Sequence, residues 1–378
     1  MAARTGLPGK GLFVGLLVAT MTCSPAGAGE QPSGQPSVSA SALPTAGSEG
    51  TPIPVVDIAR AWPRVAPRTI NVAGGLSLAE VGITPDGELA LGELVDANGQ
   101  QIGMATVSRE TGVATLVRRF SDPQTQLISI AADNDWIVWV EASNQPNFGN
   151  WVIYSINRHS QVTRTLAKAT RPDGVHYPDT PYVTVSISGG IVVWSAIVGT
   201  DRRERSYQIG ADGTGLATLA EDAQAPQIVW PWVMFDTMPR TSEAADHLTL
   251  ENLETHQVVA VTGPSGVGYF AFTGNSVAWI TQDFHDLSIL DIGDGAIVPI
   301  VKNSIHLQFV QASTRLIGWG QVDGTYVYDR KLGVIVKLGN ILNSNPIISE
   351  QALDWSQYLS PGSRSSAVWK QLNVRDLP

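Results

Sequence analysis

The feature that most constrains this chain is a short apolar run ending in an aromatic residue, which recurs along most of its length. The aromatic positions are Trp139, Trp194, Phe235, Trp279, Trp319 and Trp355, and the run Leu89-Ala90-Leu91 stands at an equivalent place without the ring. Successive intervals counted from Leu91 are 48, 55, 41, 44, 40 and 36 residues. A period of about 40 to 50 residues built from strand-like runs is typical of propeller blades. The sequence therefore predicts an all-β fold in which each repeat forms one four-stranded blade.

The number of repeats predicts a single propeller of seven blades, with six as the alternative if the Trp355 repeat is not a full blade. The last repeat ends before a fourth strand. Residues 66–70 resemble the fourth strand of the second repeat, residues 162–166, and both segments precede a new first strand. We therefore expect the N-terminal strand to pair with the C-terminal blade, because such a closure leaves no open inner edge.

Two stretches of the chain carry a family resemblance. The run Ile83-Thr84-Pro85-Asp86-Gly87 resembles the Ser/Thr-Pro-Asp-Gly hairpin of TolB-like, WD-type β-propellers, and residues 133–141 resemble the same group. The resemblance extends over residues 66–378 as a pattern. It implies a periplasmic or surface binding module, and it transfers no catalytic residue to this chain.

The N-terminus has the pattern of an export signal. Arg4 and Lys10 precede an apolar stretch of about ten residues, which is too short to span a bilayer and suits the core of a signal peptide. Cleavage after Ala28 would secrete the protein, whereas lipidation of Cys23, the only cysteine, would anchor it as a lipoprotein. Both outcomes place the protein outside the cytoplasm, without a transmembrane span.

We accordingly predict three regions. Residues 1–28 form the signal peptide, residues 29–52 a disordered linker rich in Ser, Pro and Gly, and residues 53–378 the propeller. With one cysteine the chain can form no internal disulfide.

Charge and composition exclude several classes of function. The chain has a net charge of −10 and no stripe of Lys or Arg, which argues against nucleic-acid binding. Its six histidines have no metal-ligand spacing, so we expect neither a metal nor another cofactor. The sequence also lacks the elbow of a serine hydrolase, and no catalytic residue is assigned.

One face of the propeller is expected to be more elaborate than the rest. The loops between second and third strands and the connections between blades are long in blades two to four and short in blades five and six. Because loops carry function more often than the frame does, we predict a ligand site there. Its candidate residues are Asn144, Arg171, His176, Tyr177, Arg202, Arg203, Arg205 and Arg240. The alternative is ordinary loop variation, with Asp201 and Glu204 neutralising the arginines.

Three hypotheses for function follow. The first is a non-catalytic binding module at the cell envelope, with a protein or an anionic glycan as partner. The second is a propeller-type polysaccharide lyase or hydrolase, because two carboxylates can converge from different blades. The third is an envelope assembly factor, as the TolB resemblance implies. A pocket with converging carboxylates would favour the enzyme, and exposed arginines would favour an anionic ligand.

Overall fold

Seven antiparallel sheets follow one another along the chain in the computed structural model, which describes residues 52–143, 148–169, 183–197, 203–237, 247–261, 266–339, 345–358 and 367–378. These residues all fall within one unit, Ser41–Pro378. In the described part, helix is limited to α1 (Ile58–Ala61) and two short 3₁₀ turns. No described helix has the length and apolar character needed to cross a bilayer.

The strands of each blade run outward from the centre in chain order. Blade one contains β3 (Ser77–Ile83), β4 (Leu89–Val95), β5 (Gln101–Ser108) and β6 (Ala114–Arg119); blade two β7 (Gln126–Ala132), β8 (Trp136–Ala142), β9 (Val152–Asn157) and β10 (Thr163–Lys168); blade three β11 (Val185–Ser188), β12 (Ile191–Ile197), β13 (Glu204–Gly210) and β14 (Ala217–Glu221). Blade four contains β15 (Ala223–Val229), β16 (Trp232–Thr237), β17 (His247–Asn252) and β18 (Val258–Val261); blade five β19 (Val267–Phe272), β20 (Ser276–Thr281), β21 (Leu287–Asp291) and β22 (Ile297–Val301); blade six β23 (Gln308–Ala312), β24 (Leu316–Gln321), β25 (Gly324–Asp329) and β26 (Val334–Gly339).

The seventh blade closes the ring. It contains β27 (Ile347–Ile348), β28 (Ala352–Tyr358) and β29 (Ala367–Asn373), and its outer strand is β2 (Arg68–Ile70) from the other end of the chain. The strands β2 and β29 are antiparallel, with Ile70 opposite Trp369. Each innermost strand contacts the next, and β27 contacts β3 of blade one. The predicted seven-bladed propeller and its N-terminal closure are therefore confirmed, and the six-bladed alternative is wrong.

A second N-terminal segment attaches to blade six. Strand β1 (Val55–Asp57) pairs in parallel with β26 as a fifth strand, and α1 follows it with Asp57 as its N-cap. Trp62 is fully buried, and its indole N–H donates to Asp329 Oδ2 at 3.0 Å. Arg315 bonds to both oxygens of the same carboxylate, which balances its buried charge. The sequence did not predict this attachment.

The recurrent aromatic residues form the contacts between blades. Each is buried and packs in one cluster with residues of the preceding blade, as Trp139 does with Leu91 and Met104 of blade one. The other members of this set are Trp194, Phe235, Trp279, Trp319 and Trp355. Burying about 200 Å² of such a ring stabilises the fold by up to about 5 kcal/mol. The repeat period in the sequence is thus the spacing of blade contacts.

Blade one departs from this pattern. Leu91 belongs to the cluster of Trp139, so it faces blade two, whereas the six aromatic residues face the blade before them. The residue directed towards blade seven is Ala90, which packs with Leu78 and Val107. The placement of Leu91 at the aromatic position was therefore wrong by one residue, and a one-residue step in a strand reverses the face of the side chain.

A group of charged side chains lies at this contact between blades seven and one, which we call the seam. Arg109 donates from Nε to Asp354 Oδ2 at 2.9 Å and from Nη2 to Asp354 Oδ1. The side chain of Gln371 donates to the Arg109 carbonyl at 2.7 Å. Glu80 lies beside Asp354, and as a carboxylate it would receive no hydrogen bond from the described residues. Burial, followed by the charge of Asp354, raises the pKa of Glu80 well above its ordinary value.

Candidate ligand-binding face

A propeller has two ends, and the chain connections differ between them. The loops from second to third strands and the connections between blades emerge at one end, which we call the loop face. The first-to-second and third-to-fourth turns emerge at the other end, which we call the turn face. The sequence placed the candidate ligand site on the loop face.

Two of the predicted site residues lie in the described part of the chain. Arg203 and Arg205 stand where blade three reaches the loop face, and both approach Glu221 at the end of β14. Arg205 Nε donates to Glu221 Oε2 at 2.8 Å, and Arg203 Nε lies 3.6 Å from Asp222 Oδ1. The Arg203 side chain is 41% exposed. The structure therefore brings these two arginines together, with Glu221 and Asp222 as their counter-charges.

The other predicted positions lie outside the described residues: Asn144, Arg171, His176, Tyr177, Arg202, Arg240 and the lipidation candidate Cys23. Asp201, expected to neutralise the arginines, also lies outside. Its proposed companion Glu204 accepts a hydrogen bond from Ser195 Oγ at 2.8 Å.

Buried carboxyl groups occur near the loop face at the contact of blades three and four. Glu204 on β13 and Asp236 on β16 are close enough to interact electrostatically. Burial raises the pKa of Glu204, and the Asp236 carboxylate adds to the rise against the hydrogen bond from Ser195. Gln224 donates to Asp236 Oδ2 at 2.7 Å, and Ser195 Oγ accepts the Ala225 N–H at 3.1 Å. These groups therefore link one blade to the next.

Glu93 has a similar position between blades one and two. Its Oε1 accepts the backbone N–H of Leu127, and its Oε2 accepts Gln101 Nε2 at 2.8 Å. Burial raises the pKa of Glu93 to about 6, although both hydrogen bonds oppose the rise. A carboxyl with such a pKa can exchange a proton near neutral pH. The hydrogen bond from Leu127, however, shows that Glu93 joins blade one to blade two.

The structure also shows an aromatic cluster at the loop face of blades five and six, which we call the aromatic corner: Tyr269, Phe284, His306 and Phe309. The ring of Tyr269 lies 4.8 Å from Phe309 and 5.7 Å from Phe284, and His306 meets Phe284 edge-on at 5.4 Å. Beside it, Ile305 is 71% exposed. A large apolar side chain so exposed is not required by blade packing.

Hydrogen bonds hold the two loops of the aromatic corner together. Ser304 N–H donates to the His285 carbonyl at 2.9 Å, and Leu307 N–H donates to the Phe284 carbonyl at 2.7 Å. The residues between these two bonds are Ile305 and His306. Phe284, His306 and Phe309 all have left-handed φ values, of 62°, 54° and 40°. Such a conformation costs of order 1–3 kcal/mol at a non-glycine residue and clusters at functional sites.

Sequence reasoning missed the aromatic corner. In the run Asp283-Phe284-His285-Asp286, which joins β20 to β21, Asp283 and His285 are exposed. Phe284, however, packs inward against Tyr269. The signal available in the sequence was Phe284 itself, an aromatic residue that lies between the recurrent positions Trp279 and Trp319. Among the described residues, no group of three His, Cys, Asp or Glu side chains could hold a metal ion.

Comparisons with known proteins identify the fold. No family profile matches the sequence, and no curated protein matches it either. A solved structure of prolyl endopeptidases superimposes with a TM-score of 0.53 at 10% identity, covering 79% of this chain and 50% of that chain. TolB from Acinetobacter baumannii gives 0.45 at 13% identity, covering 69% of this chain and 62% of that one.

A nidogen/laminin complex gives a TM-score of 0.44 at 10% identity, covering 62% of this chain and 89% of that chain. This chain therefore spans about half of the prolyl endopeptidase and less than two thirds of TolB. At 10% identity, the likeness to the prolyl endopeptidases is one of fold.

Proposed function

We propose that this chain is a non-catalytic binding module exported to the cell envelope, and that it holds a protein partner on its loop face. The observation that carries the proposal is the aromatic corner, which presents the exposed Ile305 beside left-handed residues Phe284 and His306. Rigid apolar and aromatic side chains lose little conformational entropy on binding, and such residues dominate the binding energy of protein interfaces.

A site-specific photocrosslinker tests this role in the full-length protein. The photoreactive residue benzoylphenylalanine replaces Ile305 on the loop face or, as the control, the exposed Leu216 of the β13–β14 turn on the turn face. Irradiation of intact cells should give an adduct of one discrete mass from position 305 and none from position 216. The proposal is wrong if neither position gives an adduct, or if both give the same pattern.

An anionic glycan is the second candidate partner, at the loop face of blade three. Exposure of Arg203 beside Arg205 favours it, because guanidinium groups pair well with carboxylates and sulfates. Replacing Arg203 and Arg205 by Ala should then abolish retention on an acidic-glycan array. The matched control replaces Lys331 and Arg375, two exposed cations of the turn face, by Ala. Equal retention of both double variants would exclude this ligand.

Catalysis on polysaccharide remains the alternative that Glu204 and Asp236 favour, because these carboxyls come from neighbouring blades. Their hydrogen bonds to Ser195 and Gln224 support blade contact instead. If the chain were a lyase or hydrolase, the Glu204→Gln variant would lose polysaccharide cleavage that the wild-type protein shows. We expect no cleavage by either protein.

Export and anchoring are a separate part of the proposal, supported by the basic and apolar pattern of residues 1–28. If Cys23 carries a lipid, the Cys23→Ala variant should leave the membrane fraction and appear in the soluble extracytoplasmic fraction. If cleavage follows Ala28, the mature chain should begin at Gly29, as its intact mass will show. A full-length cytoplasmic protein would contradict both.

A further inference from the structure

The innermost strands of the propeller are almost free of charge. The strands β3, β7, β11, β15, β19, β23 and β27 together contain one Asp, Glu, Lys or Arg residue, which is Glu80. Charged residues make up 15% of the whole chain, so the strands that surround the central channel are depleted of charge.

Glu80 does not bring its charge to the channel. Its side chain is 5% exposed and lies beside Asp354, on the face of β3 that meets blade seven. Polar side chains of the inner strands are also tied to neighbouring blades. Gln227 donates to the Phe270 carbonyl and accepts the Phe272 N–H, and Gln311 accepts the Ile348 N–H.

Apolar side chains face the channel instead. An inner strand borders its own blade, two neighbouring blades and the channel, so an exposed side chain in the middle of such a strand faces the channel. Val81 is 44% exposed, at a bulge between Glu80 and Gly82. Phe309 occupies the corresponding bulge of β23 and is half-buried against Tyr269.

We propose that the channel binds an uncharged ligand with an aromatic or aliphatic part, which enters at the loop face beside Tyr269 and Phe309. Within the described residues the Tyr269 hydroxyl makes no hydrogen bond, so it can donate to a polar atom of the ligand. A charged ligand is disfavoured, because the inner strands offer no counter-charge to replace its lost hydration. The channel site shares Tyr269 and Phe309 with the aromatic corner but does not include Ile305, where the partner is proposed to bind.

Two fluorescent probes with one ring system test the proposal on the full-length protein. N-phenyl-1-naphthylamine is uncharged, and 1-anilino-8-naphthalenesulfonate carries a sulfonate on the same rings. Titration of the wild-type protein should show saturable binding of the uncharged probe to one site, at least about tenfold tighter than binding of the sulfonate.

Matched variants locate the site. Val81→Glu places a carboxylate on the channel wall and should weaken binding of the uncharged probe about tenfold or more. Val258→Glu makes the same change on the outer strand β18, where Val258 is 59% exposed, and should change the affinity less than about twofold. Near-UV circular dichroism verifies that both variants are folded. Tyr269→Phe is a conservative third variant, which removes only the hydroxyl proposed to donate to the ligand.

Several outcomes overturn the proposal. These are no saturable binding to the wild-type protein, equal binding of the two probes, or equal effects of the two Val→Glu substitutions. None of these depends on the photocrosslinking at Ile305, so failure of the channel site and failure of the partner surface can be distinguished.

Discussion

Substitution of Glu80 by Gln tests the physical account of the seam. Glu80 is buried beside Asp354, while Arg109 is already engaged with Asp354 through two hydrogen bonds. An ionised Glu80 would therefore place a second negative charge against one arginine. A protonated Glu80 can donate its hydrogen to Asp354, and the side-chain amide of Gln can do the same.

The sign of the effect follows from proton linkage. In the unfolded chain Glu80 ionises near its ordinary value of 4.5, and in the folded ring its pKa is raised well above that. The folded state therefore holds more protons, so the stability that Glu80 contributes is fully present below the unfolded value of 4.5 and falls as the pH rises from there to the raised pKa of the folded state. The loss is at most about 1.4 kcal/mol for each pH unit over which Glu80 is ionised in the unfolded chain and still protonated in the folded state.

Thermal unfolding of both proteins measures this loss. The Glu80→Gln protein should have nearly the same Tm as the wild type at about pH 5 and a higher Tm at about pH 7. The difference should grow by up to about 3 °C for each pH unit, since 1 kcal/mol corresponds to roughly 2 °C in a domain of this size. Titrating groups away from the seam are common to both proteins, so they cancel in the difference. A difference that does not change with pH, or that favours the wild type more at pH 7, would refute the reasoning.

Three further predictions concern other buried groups. In denaturant titrations, the difference in free energy of unfolding between Glu93→Gln and the wild type should shift in favour of the variant as the pH rises to about 6, where the Glu93 carboxyl ionises in the folded state. Above that pH the difference should remain constant, and a further increase would contradict the assignment. Arg109→Met should lower the free energy of unfolding by about 3–5 kcal/mol, because it leaves Asp354 buried without a counter-charge, and adding Asp354→Leu should restore part of the loss. Trp62→Ala should cost about 3–5 kcal/mol by calorimetry, because it leaves a cavity and removes a hydrogen bond to Asp329; an unchanged Tm would show that residues 53–65 do not attach to blade six.

The sequence was sufficient to predict the repeat and the closure of the ring. Both are encoded locally, since the aromatic position of each second strand is visible in the sequence, and residues 66–70 resemble a fourth strand. The structure forms that segment into β2 (Arg68–Ile70), which pairs with β29 of the seventh blade.

The features that sequence reasoning missed depend on contacts between distant segments. Glu80 and Asp354 are 274 positions apart (354 − 80), and nothing local shows that Ala90 rather than Leu91 faces blade seven. The attachment of Trp62 likewise depends on a carboxylate in blade six, Asp329.

The candidate site was predicted in part for a similar reason. The arginines were selected because they are concentrated in long loops, and the structure brings Arg203 and Arg205 together at Glu221. Phe284 and His306 of the aromatic corner lie in short loops, which the argument from loop length did not select. Its members come from blades five and six, so only the fold brings Phe284 and His306 together.

Closure of the ring by the N-terminal strand is the claim on which the blade count, the channel and both faces depend. Thr69 and Lys370 are directly opposite in β2 and β29, and Lys370 Nζ donates to Thr69 Oγ1 at 2.8 Å. Cysteines at these two positions, in a Cys23→Ala background, should form a disulfide under mild oxidation, detected by peptide mass mapping, and raise the Tm. If the two cysteines stay reduced in the folded protein, or pair only between molecules, β2 does not complete the seventh blade and the account is contradicted.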